Sequence, residues 1–226
     1  MKIIFMGCTK FSEAMLVHLF ANDFKIEAIL TIPEKFHISY SPKGIKNFNH
    51  ADLTPIAKQY GIPCYEVNST LGKRITDYSN IIQKVNPDLL LAVGWYYMVP
   101  ENIRKLAKYG AWGIHASLLP NYAGGAPLVW AMINGEKETG VTLFQLGEGV
   151  DDGDIIDQKS FPIGFEDTIK EVYEKAIEGS KEILIKALAG INEIQLKPQK
   201  ETEIRIYPQR KPEEGVETCD LSGRSR

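Results

Sequence analysis

Cysteine is scarce. Cys8, Cys64 and Cys219 are an odd count in 226 residues and share no C-x-x-C spacing. Neither a disulfide framework nor a metal site is suggested, and Cys8 and Cys64 read as small buried hydrophobes. Basic excess is missing too, since 26 Lys and Arg stand against 29 Asp and Glu, for a formal net charge of -3. Binding that neutralises phosphates usually leaves a basic footprint, so no nucleic-acid partner is expected. No stretch approaches the roughly 18 apolar residues of a spanning helix. The opening MKIIFMGC is too short an apolar run for a signal peptide. No membrane partner is expected, and the chain reads as cytoplasmic. Repeats and low-complexity tracts are also lacking.

What is present is alternation. Residues 2–8, KIIFMGC, form a short apolar run rich in β-formers, and Phe11, Ala14, Met15, Leu19 and Phe20 then recur at helical spacing. Strands follow over residues 25–32, 63–67, 88–95 and 111–116, with helices predicted over 53–61, 70–85 and 100–110. Alternation of this kind predicts an α/β fold, a doubly wound, Rossmann-like, mostly parallel sheet covered on both faces. Residues 33–52 break the rhythm with prolines, Asn and Gly among aromatics, and are expected to be a long irregular connection. Later, residues 139–146 and 154–163 flank GEGVDDG, which suggests paired strands and an added antiparallel portion. A long amphipathic helix then begins at a Thr168–Glu171 capping box and carries an apolar stripe to Leu188. One domain is expected over residues 1–200. Residues 201–226 read as a polar tail with a strand candidate at 203–208, or as the start of a further segment that CDLSGRSR leaves cut short.

In such sheets ligands sit beyond the carboxyl ends of the strands, which points to four places. MGCTKFS, after the first strand, lacks the G-x-G-x-x-G fingerprint of a dinucleotide site. Its helix start can still attract an anion, with Thr9 and Lys10 adding a hydroxyl and a charge; the other reading is N-capping by Thr9 with a solvated Lys10. VGWYYMVP sets Trp95, Tyr96 and Tyr97 beside Met98 and Val99, either as the wall of a flat aromatic ligand or as core. His115 ends a strand, and EGVDDGD brings carboxylates some way later. Alone, these read as a structural histidine and an acidic turn. Brought to one cleft, they are a base and a group that orients or charges it.

Four motifs carry a resemblance. HASLLP, a glycine-rich loop ending in Ala126-Pro127, NGEKETGVT and VDDGDI appear in that order. Together they resemble the signature of the folate-dependent formyltransferases, which act on methionyl-tRNA, glycinamide ribonucleotide or sugar nucleotides. Weaker similarity covers residues 1–165, and IYPQRKPEEG is similar to a segment that follows the catalytic domain in many members. The resemblance implies formyl transfer from N10-formyltetrahydrofolate to an amine, with His115 and Asp151 as the catalytic pair and no metal. It assigns donor contacts to Trp95, Tyr96, Tyr97, Met98 and Val99, to Ser117, Leu118, Leu119 and Pro120, and to Gly149, Val150 and Asp152. The short C-terminus and the aromatic-rich 33–52 stretch look closest to the sugar-nucleotide enzymes. Thr9 and Lys10 would then hold a diphosphate, Tyr122, Tyr40 or Phe48 would lie beside the base or sugar, and a C-terminal segment would support a homodimer.

The chain departs from the family at Gly113. There the pattern has an Asn that helps polarise the formyl oxygen, and loss of one such donor costs about 3 kcal/mol of transition-state stabilisation. A water or backbone N–H in the vacated space, a distant side chain, or a weakened enzyme would each account for it. A formyltetrahydrofolate hydrolase, or a noncatalytic protein that binds folate or a nucleotide sugar, are the alternatives.

Overall fold

The computed structural model describes residues 1–38, 41–200 and 204–210. Strand and helix alternate through its first half: β1 (Lys2–Met6), α1 (Lys10–Ala21), β2 (Lys25–Thr31), a hairpin of β3 (Lys35–Ile38) and β4 (Ser41–Lys46), α2 (Thr54–Gln59), β5 (Cys64–Glu66), α3 (Ser79–Val85), β6 (Leu89–Val93), α4 (Glu101–Arg104) and β7 (Ala111–His115). The second half holds β8 (Ala123–Gly124), α5 (Pro127–Ile133), β9 (Glu138–Gln145), β10 (Ile155–Pro162), α6 (Ile169–Ala189) and β11 (Ile206–Tyr207).

Seven strands form one sheet in the order β10-β9-β7-β6-β1-β2-β5. From β7 to β5 all neighbours are parallel. β9 then runs antiparallel to β7, and β10 antiparallel to β9. This is the α/β, Rossmann-like sheet with an antiparallel portion that the alternation predicts. Central strands are apolar throughout because helices cover both faces. Ile3, Phe5, Leu89 and Leu91 pack with α1 and α6, while Ile4, Met6, Leu90 and Ala92 pack with α3 and α4. The long helix starts at its capping box, with the Thr168 N–H donating to Glu171 at 2.8 Å. It buries Val172, Ala176, Ile183, Leu184 and Leu188. Burial of each larger aliphatic stabilises by about 1.5–3 kcal/mol. Among the described residues, no helix is long and apolar enough to cross a membrane.

Several elements differ from the sequence reading. Residues 33–52 are not irregular: β3 and β4 pair antiparallel there. Phe36 and Ile38 alternate inward to pack with Cys8 and Ile32, a local period-two pattern that the surrounding prolines and lysines obscure. The helix over 70–85 is broken into two 3-10 turns before α3, because Gly72, left-handed at φ +71, closes the first turn. The helix over 100–110 keeps four helical residues in α4. α5 falls outside the elements that the periodicity predicts; Pro127 opens it at the first helical position, and Leu128 and Ala131 are its buried residues. The 203–208 candidate contracts to β11, which pairs parallel with β8 rather than with the main sheet.

Candidate active site

The turn after β1 is closed. Thr9 caps α1 by accepting the Ser12 N–H at 3.1 Å, and Ser12 Oγ accepts the N–H groups of Cys8 and Thr9 at 3.1 and 3.0 Å. The Lys10 N–H donates to the Asn49 carbonyl at 2.9 Å. Chain following the β3–β4 hairpin thus occupies the helix start. Thr9 is a buried cap and Lys10 is exposed, and the N–H groups of Lys10, Ser12 and Glu13 already have partners within the chain. Cys8 offers no nucleophile, since it lies beneath the turn with its thiol on the Gly94 carbonyl, and burial pushes that thiol up to about 12.

The segment after β6 is divided. Val99 is buried, Tyr96 donates to Asn47 Oδ1 at 3.2 Å, and the Tyr97 hydroxyl lies 2.9 Å from that of Ser69. Both rings pack against Phe36. Trp95 is different: its Nε1 is buried without a hydrogen-bond partner among the described residues. Met98 is exposed. Tyr40 lies outside the described residues, and Phe48 is exposed beneath the Lys46 ammonium.

β7 carries His115 at its last position, opposite Thr142 of β9 and 8% exposed. Its Nε2 lies 2.8 Å from the Tyr122 carbonyl oxygen. A carbonyl only accepts, so Nε2 bears a proton and Nδ1 is left facing Asp151 Oδ2 at 3.4 Å. That contact is attractive when a proton sits on either atom. Asp151 reaches it from the β9–β10 loop in a left-handed conformation, φ +53, which Asp tolerates better than most residues. The Gly124 N–H donates to the same Oδ2 at 2.8 Å. The structure therefore brings His115 and Asp151 together, although they come from strands of opposite direction.

Around the pair, the remaining candidates fall into two groups. Ser117 and Leu119 are buried in a scaffold: the Thr142 hydroxyl donates to the Ser117 carbonyl at 2.6 Å and accepts the Leu119 N–H at 3.0 Å. Gln158 Nε2 donates to Leu119 O at 2.9 Å and also contacts Thr142 Oγ1. Leu118, Pro120 and Tyr122 instead line an open cleft of about 640 Å³ with Glu136, Arg205 and Tyr207. The Tyr122 hydroxyl donates to Glu136 at 2.6 Å, and burial, then that carboxylate, pushes the phenol up. Tyr122 so connects the cleft, through its ring, to His115, through its carbonyl. The Gly149 N–H donates to Asp152 Oδ2 at 2.7 Å, Val150 is exposed, and Asp152 Oδ1 is buried without a partner among the described residues. Among those residues no group of three or more His, Cys, Asp or Glu could hold a metal ion.

Gly113 shares the His115 face of β7, because side chains alternate along a strand. The space beside it is filled with carbon. A Cβ there would stand 2.7 Å from Leu146 Cδ2 and 3.0 Å from Phe144 Cε1, and Phe144 is the cross-strand partner of Gly113. Of the accounts of the missing Asn, a water in the vacated space does not fit that packing.

Sequence reasoning missed Gln199. Its Nε2 donates to the carbonyls of Asp151 and Gly153 at 2.9 and 2.7 Å. It lies in a polar stretch after α6, and no local pattern marks it.

Residues 1–188 match the family model described as formyl transferase. The chain belongs to the formyl transferase family. Methionyl-tRNA formyltransferase of Citrifermentans bemidjiense is 33% identical to this family member over 222 residues, which are 96% of this chain and 66% of that protein. The chain spans about two-thirds of the length of the curated relatives it matches. Among solved structures, the sugar 3N-formyl transferase WlaRD, in the presence of dTDP and 5-N-formyl-THF, is similar with a TM-score of 0.66 at 20% identity, over 92% of this chain and 69% of that one. An N-formyltransferase from Helicobacter canadensis, in complex with folinic acid and dTDP-3-aminofucose, has a TM-score of 0.68 at 20% identity, over 92% and 71% of the two chains. At such identities these likenesses show the shared fold.

Proposed function

We propose that this formyl transferase family member moves a formyl group from N10-formyltetrahydrofolate to the amino group of a nucleotide-linked amino sugar. The contact of His115 Nδ1 with Asp151 Oδ2 carries the proposal. Donor binding is supported by two orphaned polar atoms, Trp95 Nε1 and Asp152 Oδ1, a buried donor and a buried acceptor on the two segments that the resemblance assigns to the donor. Met98 and Val150, exposed on the same two segments, offer apolar contact.

The donor, when bound, supplies an electrophilic formyl carbon. Tyr122 fixes the His115 ring through Nε2–H, so that Nδ1 faces the reacting groups. His115, protonated there, stabilises charge on the formyl oxygen, and does so more strongly in a site with little water than at a surface. Asp151 takes, directly or through a water, the proton that the amine releases as its nitrogen bonds to the formyl carbon. The bond from that carbon to the donor nitrogen then breaks as Asp151 returns the proton, directly or through a water, to the departing nitrogen, which leaves as a neutral amine. Nothing in this sequence needs a covalent enzyme intermediate.

The cleft beside Tyr122, about 640 Å³, is of a size for a small acceptor and offers two tyrosines, two carboxylates and Arg205. A second acceptor is methionyl-tRNA, favoured by the names of the relatives with 31–34% identity. Incubation with the formyl donor and either a panel of nucleotide-linked amino sugars, methionyl-tRNA or water alone separates these acceptors. A formamide on the amino sugar is expected. His115→Ala and Asp151→Asn should each lower kcat/KM by at least about a hundredfold. Equal rates in wild type and both variants would remove the pair from the chemistry.

A further inference from the structure

Two stretches after α6 return to the neighbourhood of the His115–Asp151 pair. At the first, Lys197 and Ile155 exchange backbone hydrogen bonds of 2.9 and 2.8 Å at the outer edge of the sheet. This sets Gln199 two residues further on, where its side-chain amide donates to the carbonyls of Asp151 and Gly153. An amide nitrogen carries two hydrogens, so both bonds can form together. At the second, β11 lies parallel to β8, with Ile206 opposite Ala123 and Tyr207 opposite Gly124. The Gly125 N–H donates to the Tyr207 carbonyl at 2.8 Å.

Each contact is one step from the pair. Gly124, in register with Tyr207, gives its N–H to Asp151 Oδ2. The Tyr207 ring lies 4.8 Å from that of Tyr122, whose carbonyl holds His115 Nε2. Asp151 is left-handed at φ +53, a conformation that persists in a non-glycine residue only where its surroundings over-determine it. Gln199 supplies that determination from the main-chain side, since it grips the carbonyl of Asp151 and the carbonyl two residues later.

We propose that Gln199 is a positioning residue for Asp151, and that the Ile206–Tyr207 strand is the matching anchor for the Gly124 side of the same carboxylate. Neither touches the reacting atoms. Both act by keeping Asp151 Oδ2 at its place beside His115 Nδ1, where a displacement of about 1 Å can cost up to a hundredfold in rate. The proposal rests on His115 and Asp151 being the reacting pair.

The test uses the whole chain with Gln199→Ala and Gln199→Glu. The second keeps the side-chain volume and replaces the amide donor by an oxygen facing two carbonyl oxygens, so it stays interpretable if alanine loosens the edge. Both variants should lower kcat by about ten- to a hundredfold while KM for either substrate changes by less than about twofold. Thermal midpoints should stay within about 3 °C of wild type. In protein without substrates, at one pH, the ring-nitrogen resonances of His115 should move in both variants. Unchanged His115 resonances and unchanged kcat would overturn the proposal, and so would a kcat loss no larger than the unfolded fraction explains. If the wild type transfers no formyl group to any acceptor or to water, the functional reading fails, and the His115 resonances alone then decide whether Gln199 sets the pair.

Discussion

The turns leaving β1 and β7 stand at the same end of the sheet, two strands apart, and are built in opposite ways. After β1 the polar groups are closed in on themselves: Ser12 Oγ serves the Cys8 and Thr9 N–H groups and donates to the Val93 carbonyl at 2.5 Å, while Asn49 covers Lys10. After β7 the backbone is strained. Tyr122 and Ala126 have φ of +57 and +48, and with Asp151 they make three of the five described non-glycine residues at positive φ. A self-satisfied turn adds stability and leaves fewer polar groups for a ligand. A strained one that aims a histidine and a carboxylate at each other holds geometry at a cost of roughly 1–3 kcal/mol per residue, which is how reactive sites are commonly built.

That contrast can be broken in order of expected effect. Asp151→Asn, on the strained side, should cost at least about 3 kcal/mol in kcat/KM with an unfolding midpoint near wild type. Ser12→Ala, on the closed side, should do the reverse. It orphans two buried N–H groups and should lower unfolding free energy by about 2–3 kcal/mol in a denaturant titration, with kcat in the folded protein within about twofold of wild type. A large kcat loss in folded Ser12→Ala would show that the turn after β1 also serves the reaction. Gly113→Asn sharpens the comparison from the sheet face. It should destabilise by about 1–3 kcal/mol, because the new side chain meets Leu146 and Phe144, and should not raise activity. A rate gain would mean that Leu146 readily yields the space to a polar group. The smallest effect is expected for Ala126→Gly, which relieves a left-handed alanine and should stabilise by up to about 1 kcal/mol, measured by thermal unfolding.

Legibility in the sequence follows the same division. The parallel strands were readable because burial on both faces writes a continuous apolar run, as in Leu89–Val93. α6 was readable from its cap and stripe. His115 stood out by its place at a strand end and Asp151 by its motif, but the motif could not say that Tyr122 holds the ring or that Gly124 holds the carboxylate. The β3–β4 hairpin was hidden because its inward residues, Phe36 and Ile38, are too few to establish a period against neighbouring prolines and lysines. Its consequence was hidden with it. That the Lys10 N–H at the start of α1 is covered depends on Asn49, 39 residues further along the chain.

By itself the sequence determined the kind of sheet and the long helix, while the two groups that face each other were named by the likeness of their motifs to a family. The sheet and the helix follow from period and capping, which act between near neighbours in the chain. Only the tertiary structure decided that Leu146 and Phe144 fill the space at Gly113, that the first helix start is covered, and that Gln199 grips the Asp151 loop. Those outcomes depend on which distant segments the sheet order makes adjacent, and a single side chain arriving from such a distance leaves no periodic trace.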